Sequence, residues 1–415
     1  MLVCGVQVLV SLTALLYYWN RRLRYLAVAT SAYFIAYYIE GSFDLTLPLY
    51  FILLLLGMGV PRKLCPADMA LGLWTALYAA AGVLFQDWFP AITTAVTRFG
   101  CLIIFLVMVS EKKSDPLWEA DSTDFRFAVR TGLLTELLTA ALVWREYGFG
   151  TRVVNGSQPI GAGIAVGIIM LIGWCYLKKM FSSAEAVVYS CASVIAAVIS
   201  GTRGYMVIIC LSLIVPLFIW LFDVHEGEKA YLRIGILGLA AAVMAMFLFV
   251  SDQGGMLVRI FRINAGVGYR ENENIFVKEL MLRAPWYNQL FGMGFGGDAG
   301  RVPGFMEAVY KASGSREFMV EKLIHGTIFH NYWYTVMFKT GIVGLVMIFV
   351  FFVRVFRSIF LAEKQYPEKW MIALTLTGYL VSLTFRITAT CSMLDFLLAA
   401  FLIRQLDKDK KEVDI

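Results

Sequence analysis

Long apolar segments alternate with short charged connections along most of the chain. A helix needs roughly 20 apolar residues to cross a bilayer, and segment after segment meets that length. The apolar runs are continuous, so they lack the alternation typical of strands in an outer-membrane barrel. The pattern predicts an all-α polytopic membrane protein with about 12 or 13 transmembrane helices. The predicted spans lie near residues 2–19, 25–39, 44–60, 67–85, 90–109, 125–144, 159–177, 184–200, 204–222, 231–250, 332–357, 370–386 and 388–403.

The connections between these spans alternate in charge. Basic clusters such as "RRLR" (21–24) and "KK" (178–179) fall on one side, whereas "EGSFD" (40–44) and "SGTRGY" (200–205) fall on the other. Cytoplasmic loops of membrane proteins are enriched in Lys and Arg, so the basic set is predicted to be cytoplasmic and the N-terminus to lie outside. The predicted organisation is ten spans in 1–250, a large periplasmic loop in 251–329, spans 11 to 13 in 330–403, and a cytoplasmic tail in 404–415.

Composition agrees with this class, because 60% of the residues are hydrophobic, only 16% are charged, and the mean hydropathy is +0.72. The net charge of +6 is explained by the cytoplasmic basic clusters, so it does not indicate nucleic-acid binding. The seven cysteines are scattered and contain no CxxC pair. They therefore predict neither a disulfide framework nor a zinc site.

The predicted loop 251–329 is much longer than a simple connection requires, and long ordered loops often carry function. Its segment "ENENIFVKELMLRAPW" predicts an amphipathic helix that Pro285 ends, lying at the membrane surface. A glycine-dense stretch follows, "LFGMGFGGDAG" (290–300), which is typical of a plain loop or of a backbone cradle for a ligand. The residues predicted to share the apolar face of the helix are Phe276, Val277, Leu280 and Met281.

Several arginines fall on the predicted outer side, against the usual charge bias. One explanation is structural, since an arginine can reach the membrane surface or pair with an acidic residue. The other is an anionic ligand, because a guanidinium binds phosphate oxygens in a two-pronged way and stays charged when partly buried. His330 begins span 11 on the same side and is followed at once by Asn331. The outer arginines include Arg152, Arg203, Arg259, Arg262 and Arg270.

Three segments in this order resemble the bacterial O-antigen ligase and O-antigen polymerase superfamily. They are "ISGTRGY" (199–205) at the head of one span, "GYRENENIFVKELMLRAPWYNQLFGMGFGG" (268–297) in the long loop, and "FHNYWYTVMFKTGIVGL" (329–345) at the start of the next span. The likeness covers roughly residues 150 to 350. It implies an inverting glycosyltransferase of the GT-C type in the bacterial cytoplasmic (inner) membrane, with its active site facing the periplasm.

The resemblance also implies the partners and the site. The donor would be a glycan on undecaprenyl pyrophosphate, and the acceptor lipid A core or a second lipid-linked repeat, with membrane lipids and a chain-length regulator protein as further partners. His330 would be the general base, supported by Asn331 and Tyr205, and no metal or other cofactor would be needed if arginines replaced Mg²⁺. The arginines implied to bind the donor pyrophosphate are Arg203, Arg270 and Arg152.

Two other functions stay open at this stage. A transporter or lipid-linked sugar flippase would also be polytopic, and it could use charges in or near spans, such as Arg98, Arg130, Glu136 and Asp395. A structural partner of the polysaccharide machinery would explain the topology but not the arginines and the His-Asn pair. The sequence also leaves ligase and polymerase undecided, because both carry these motifs.

Overall fold

The computed structural model describes residues 66–95, 99, 122–147, 154–155, 158–159, 162–199, 203–222, 267–313, 329, 331–360, 367–383 and 402. In this part of the chain the fold is all-α, as predicted. Its one extended feature is the antiparallel pairing of β1 (Val154–Asn155) with β2 (Gln158–Pro159). Outside the described residues lie the spans predicted near 2–19, 25–39, 44–60 and 231–250, most of those near 90–109 and 388–403, and the tail 404–415.

The helix bounds follow the apolar segments closely where both are known. Each predicted span that falls largely on described residues corresponds to a helix. The helices are α1 (Pro66–Phe85), α2 (Trp88–Thr94), α3 (Ser122–Tyr147), α4 (Ala162–Leu177), α5 (Ser183–Ile199), α6 (Arg203–Phe222), α7 (Val267–Arg283), α8 (Trp286–Phe291), α9 (Phe305–Ser313), α10 (Tyr332–Phe360) and α11 (Pro367–Ser382).

One helix in the described residues is long and apolar enough to cross a membrane. It covers Tyr332–Arg357 in α10, has a mean hydropathy of 2.4, and is half buried inside the protein. Shorter apolar helices occur at Met69–Phe85, Gly167–Leu177 and Ser183–Ala197. Length and composition therefore identify a single candidate span in the described part of the chain.

Helices α4, α6 and α11 pack closely because small residues lie where they meet. A Cβ added at Gly173 of α4 would lie 2.6 Å from Met371 Sδ of α11 and 3.0 Å from Pro216 Cγ of α6. Nearby, Thr375 Oγ1 donates a hydrogen bond to Ser212 Oγ over 2.9 Å. Small residues and buried hydroxyls of this kind are typical of contacts between helices in apolar surroundings.

The turn from α4 to α5 is fixed by its own residues. Lys179 adopts a left-handed conformation (φ 57°), and the Met180 N–H reaches back to the Cys175 carbonyl over 2.7 Å, which closes α4. Ser182 and Glu185 then form a reciprocal capping box that starts α5. Basic residues collect around this turn. We call this turn, together with the starts of α3 and α11, the Lys178 end of the bundle.

Helix α7 buries its apolar face against α9 and the start of α10. The Phe276 ring lies 5.8 Å from the Phe305 ring and 6.0 Å from the Phe329 ring. The predicted face is therefore confirmed, and α7 ends at Arg283, just before Pro285. Protein covers this face, so lipid does not contact it, and the position of α7 at the membrane surface stays a prediction. Its four residues, all at most 6% exposed, are Phe276, Val277, Leu280 and Met281.

Candidate functional site

The glycine-rich stretch after α8 packs into a break in α10. Helix α10 is interrupted at Gly341, whose φ of 64° and ψ of −163° are not helical. The break frees the carbonyls at the end of the first half-helix, and the turn at residues 292–297 bonds to them. The Met293 N–H donates to the Phe338 carbonyl over 2.8 Å, and the Gly294 N–H donates to the Lys339 carbonyl over 3.0 Å. The turn thus completes hydrogen bonds that the broken helix cannot make.

Two glycines allow this close approach of backbone to backbone. Gly292 has a φ of 74°, and a Cβ there would collide with the backbone of Lys339 and Thr340. A Cβ at Gly341 would collide with the Leu290 carbonyl and lie 2.6 Å from Gly292 N. Both positions therefore require glycine for space as well as for conformation.

The side chains of Gln86 and Lys339 bond to three further polar groups of the glycine turn. Gln86, just after α1, donates to the Met293 carbonyl over 2.6 Å and accepts from the Gly296 N–H over 3.0 Å. The Lys339 ammonium donates to the Gly297 carbonyl over 2.9 Å. Five of the six N–H groups at 292–297 donate hydrogen bonds within the protein. They are therefore not free to cradle a ligand, and the turn instead attaches this segment to α10.

Asn331 lies directly before α10 and is 7% exposed. Its Oδ1 accepts from the Trp333 N–H over 3.0 Å, which caps the helix. Its Nδ2 donates to Asn274 Oδ1 on α7 over 3.3 Å. Arg270 precedes Asn274 by four residues, so both occupy the same face of α7, one turn apart. The fold thus brings the Arg270 position close to Asn331.

Arg203 is the first residue of α6 and Tyr205 lies two residues later. Helices α6 and α11 run antiparallel, because Gly378 packs on Ile208 while Thr375 meets Ser212 further along. The start of α6 is consequently level with the end of α11. There the Tyr332 N–H, at the start of α10, donates to the Leu383 carbonyl over 2.9 Å. We call this the Arg203 end of the bundle.

The structure therefore describes the predicted site residues to different extents. Asn331 is described in full, and Arg203, Tyr205 and Arg270 are placed as positions on helices. His330 and Arg152 lie outside the described residues. The neighbours of His330 in the chain, Phe329 and Asn331, are both buried beside α7.

Sequence reasoning missed three residues that organise this region. Asn274 fixes the contact between α7 and α10, while Gln86 and Lys339 hold the glycine turn. A signal existed for Lys339, since a charged residue inside an apolar span is costly and is rarely there without a role. Within the described residues, no group of three or more His, Cys, Asp or Glu could hold a metal ion.

Two charges that a transporter could use are placed apart from this site. Glu136 of α3 is fully buried, and its Oε2 accepts from Ser193 Oγ of α5 over 2.7 Å. Arg130 is 55% exposed and lies 3.6 Å from Glu185 at the Lys178 end. Arg98 and Asp395 lie outside the described residues. Glu136 and Arg130 therefore pair with different partners and do not pair with each other.

Comparison of the chain with models of protein families and with curated proteins found no match.

Proposed function

We propose that the chain is a polytopic inner-membrane glycosyltransferase of the GT-C type, which transfers or polymerises a glycan from undecaprenyl pyrophosphate at the periplasmic face. The observation that carries the proposal is the contact of the start of α10 with both α7 and the end of α11. Asn331, next to His330, contacts α7 one turn from Arg270. The same start of α10 bonds to the end of α11, level with Arg203 at the start of α6.

The chemistry of glycosyl transfer needs the residue types that collect there. The acceptor hydroxyl oxygen attacks the anomeric carbon, and the bond from that carbon to the pyrophosphate oxygen breaks. Arg203, Arg270 and Arg152 offset the charge on the departing pyrophosphate, which a planar guanidinium can grip with two hydrogen bonds. His330 takes the proton of the acceptor hydroxyl, a task for which an imidazole with a pKa near about 6.5 is suited. A single displacement of this kind inverts the configuration of the anomeric carbon.

The orientation in the membrane follows from the charged connections. Basic residues mark the Lys178 end, and the positive-inside tendency assigns that end to the cytoplasm. Because α4, α5 and α6 alternate in direction, the Arg203 end then faces the periplasm, where undecaprenyl-linked glycans are used. Helix α10 supports membrane insertion, since Tyr332–Arg357 is long and apolar enough to cross a bilayer.

The proposal is tested with the purified protein and a purified undecaprenyl-pyrophosphate-linked repeat. We expect glycan transfer that persists in EDTA, because the arginines neutralise the leaving group without a metal ion. No transfer to either lipid A core or a second lipid-linked repeat would refute the assignment. In cells, a flippase would be indicated if a deletion strain held its lipid-linked repeats on the cytoplasmic side.

Ligase and polymerase are separated by the lipopolysaccharide pattern of that deletion strain. Core carrying a single repeat indicates a lost polymerase, since one unit can still be attached. Bare core with accumulated lipid-linked polymer indicates a lost ligase. A wild-type pattern would contradict both assignments.

A further inference from the structure

Lys339 places an ammonium group inside the candidate membrane span. It is 1% exposed and lies in the first half of α10, two residues before the break at Gly341. A buried charge in apolar surroundings is costly unless it is well bonded. Three features offset part of that cost here. The Gly297 carbonyl accepts from Nζ over 2.9 Å, the adjacent Asp298 carboxylate attracts the charge, and the C-terminus of the first half-helix favours a cation.

The segment from α7 to the glycine turn contacts α10 at two separate positions along the helix. Asn274 of α7 bonds to Asn331 at the start of the helix, and the glycine turn bonds to Phe338 and Lys339 further along. Seven residues of helix separate Tyr332 from Lys339, which is roughly 10 Å at about 1.5 Å per residue. Helix α7, helix α8 and the turn follow one another in the chain. The attachment of the turn at Phe338 and Lys339 therefore limits how far along α10 the α7 helix can lie.

We propose that Lys339 is a positioning residue: its ammonium keeps the glycine turn in the break of α10, and thereby holds α7 with Arg270 against His330 and Asn331. What it positions rests on the proposed function, whereas the attachment itself does not. Lys339 contacts neither donor nor acceptor in this account. It acts on transfer through the distance between α7 and the start of α10.

Gln86, just after α1, provides a second anchor for the same turn. Its side chain bonds to Met293 and Gly296, which are different residues of the turn from the one that Lys339 contacts. Two residues that hold one element are expected to be non-additive when both are changed. Lys339→Met and Gln86→Leu should therefore give a combined loss smaller than the sum of their separate losses. A comparison with Gln86→Leu also keeps the proposal testable if Lys339→Met fails to fold.

The attachment is tested by cross-linking in native membranes. Cysteines at positions 274 and 331 are joined by a short bismaleimide, and the linked peptides are measured by mass spectrometry. We expect Lys339→Met and Gln86→Leu each to lower the yield by more than half. Lys311→Met is the matched control, because this ammonium on α9 is exposed and pairs with Glu279 at the surface over 2.6 Å. Its yield should equal that of the parent.

Glycan transfer is then measured in chains that retain Asn274 and Asn331. Lys339→Met should lower kcat/KM on the order of 10–100-fold, as expected for a displacement of about 1 Å in the site. The pH profile of kcat should keep its shape, because His330 remains the base. Lys311→Met should transfer normally.

The outcomes separate the attachment from the function. A lower cross-linking yield in a protein whose parent transfers no glycan supports the attachment and removes the proposed function. An unchanged yield in both variants overturns the proposal. So does a lower yield with normal transfer, or a lost transfer with normal yield and an altered pH profile, since Lys339 would then act directly.

Discussion

The Lys178 end of the bundle and the glycine turn beside α10 both contact cationic side chains, but in different surroundings. Arg130 at the Lys178 end is 55% exposed and lies 3.6 Å from Glu185, whereas Lys339 is 1% exposed and bonds to a backbone carbonyl. Exposed ion pairs contribute about 0–1 kcal/mol, and a buried charge that loses its partner costs about 3–5 kcal/mol. In the proposed topology, the charge at the Lys178 end sets the orientation of the protein in the membrane. The Lys339 charge at the glycine turn instead holds two elements of the tertiary structure together. Substitutions should therefore differ strongly between the two.

The largest effect is expected at His330, the residue before Asn331 in the chain. His330→Ala should lower the rate of glycan transfer about 10²–10⁴-fold, the usual consequence of losing a general base. Protein level and membrane insertion should stay normal. The comparison variant is His325→Ala, five residues earlier, whose effect should be much milder. Normal surface polysaccharide from His330→Ala would assign this residue a structural role at the start of α10.

Arg203 distinguishes a ligand-binding charge from an orienting one. If it grips the donor pyrophosphate, Arg203→Lys should damage transfer nearly as much as Arg203→Ala, on the order of 10–100-fold for one or two lost charged hydrogen bonds. A residue that only orients the helix needs a charge, and Lys would serve. The measurement is transfer from the purified lipid-linked donor. Full activity of Arg203→Lys would contradict the arginine clamp.

Gly341→Ala tests the docking of the glycine turn without removing a charge. The new Cβ would meet the Leu290 carbonyl, and a φ of 64° is strained for alanine. We expect the free energy of unfolding in detergent to fall by about 1–3 kcal/mol. Gly72→Ala in α1 is the control, because nothing lies within 4 Å of its added Cβ and alanine favours a helix by up to about 1 kcal/mol. Equal stability of both variants would argue against the docking.

The smallest effect is expected at the Lys178 end. Arg130→Ala removes the exposed pair with Glu185, so it should change stability little and leave glycan transfer unchanged. The difference from the parent should shrink in high salt, which screens exposed charges. Thermal unfolding at low and high ionic strength measures it. A loss of stability as large as that of Gly341→Ala would contradict the difference between the Lys178 end and the glycine turn.

Hydropathy and periodicity predicted the helices because their signals are local. The span predicted at 204–222 is a helix at Arg203–Phe222, and the apolar face around Phe276 is buried as expected. What covers that face could not be predicted, because its partners on α9 and at Phe329 lie elsewhere in the chain. Sequence periodicity shows which face is apolar but does not show whether lipid or protein covers it.

The break in α10 was hidden for a similar reason. The apolar run through Gly341 is continuous, so it predicts one uninterrupted helix. The break is stable because the turn at 292–297, about 50 residues earlier, supplies the missing partners of α10. Gln86, which lies about 250 residues before the break, holds that turn. The link from Arg270 through Asn274 to Asn331 is likewise long-range. Motif order placed these residues in one site by resemblance, and the contact between α7 and α10 gives that arrangement a physical basis.

The opposite orientation of the two ends is tested most directly by labelling in intact cells. Single cysteines at Gly156, between β1 and β2, and at Ser182, in the turn from α4 to α5, are treated with an impermeant maleimide on a background without the native cysteines. The account predicts that Gly156→Cys reacts and that Ser182→Cys reacts only after the membrane is opened. Labelling of Ser182→Cys but not of Gly156→Cys in intact cells would place the Arg203 end in the cytoplasm and contradict a periplasmic site.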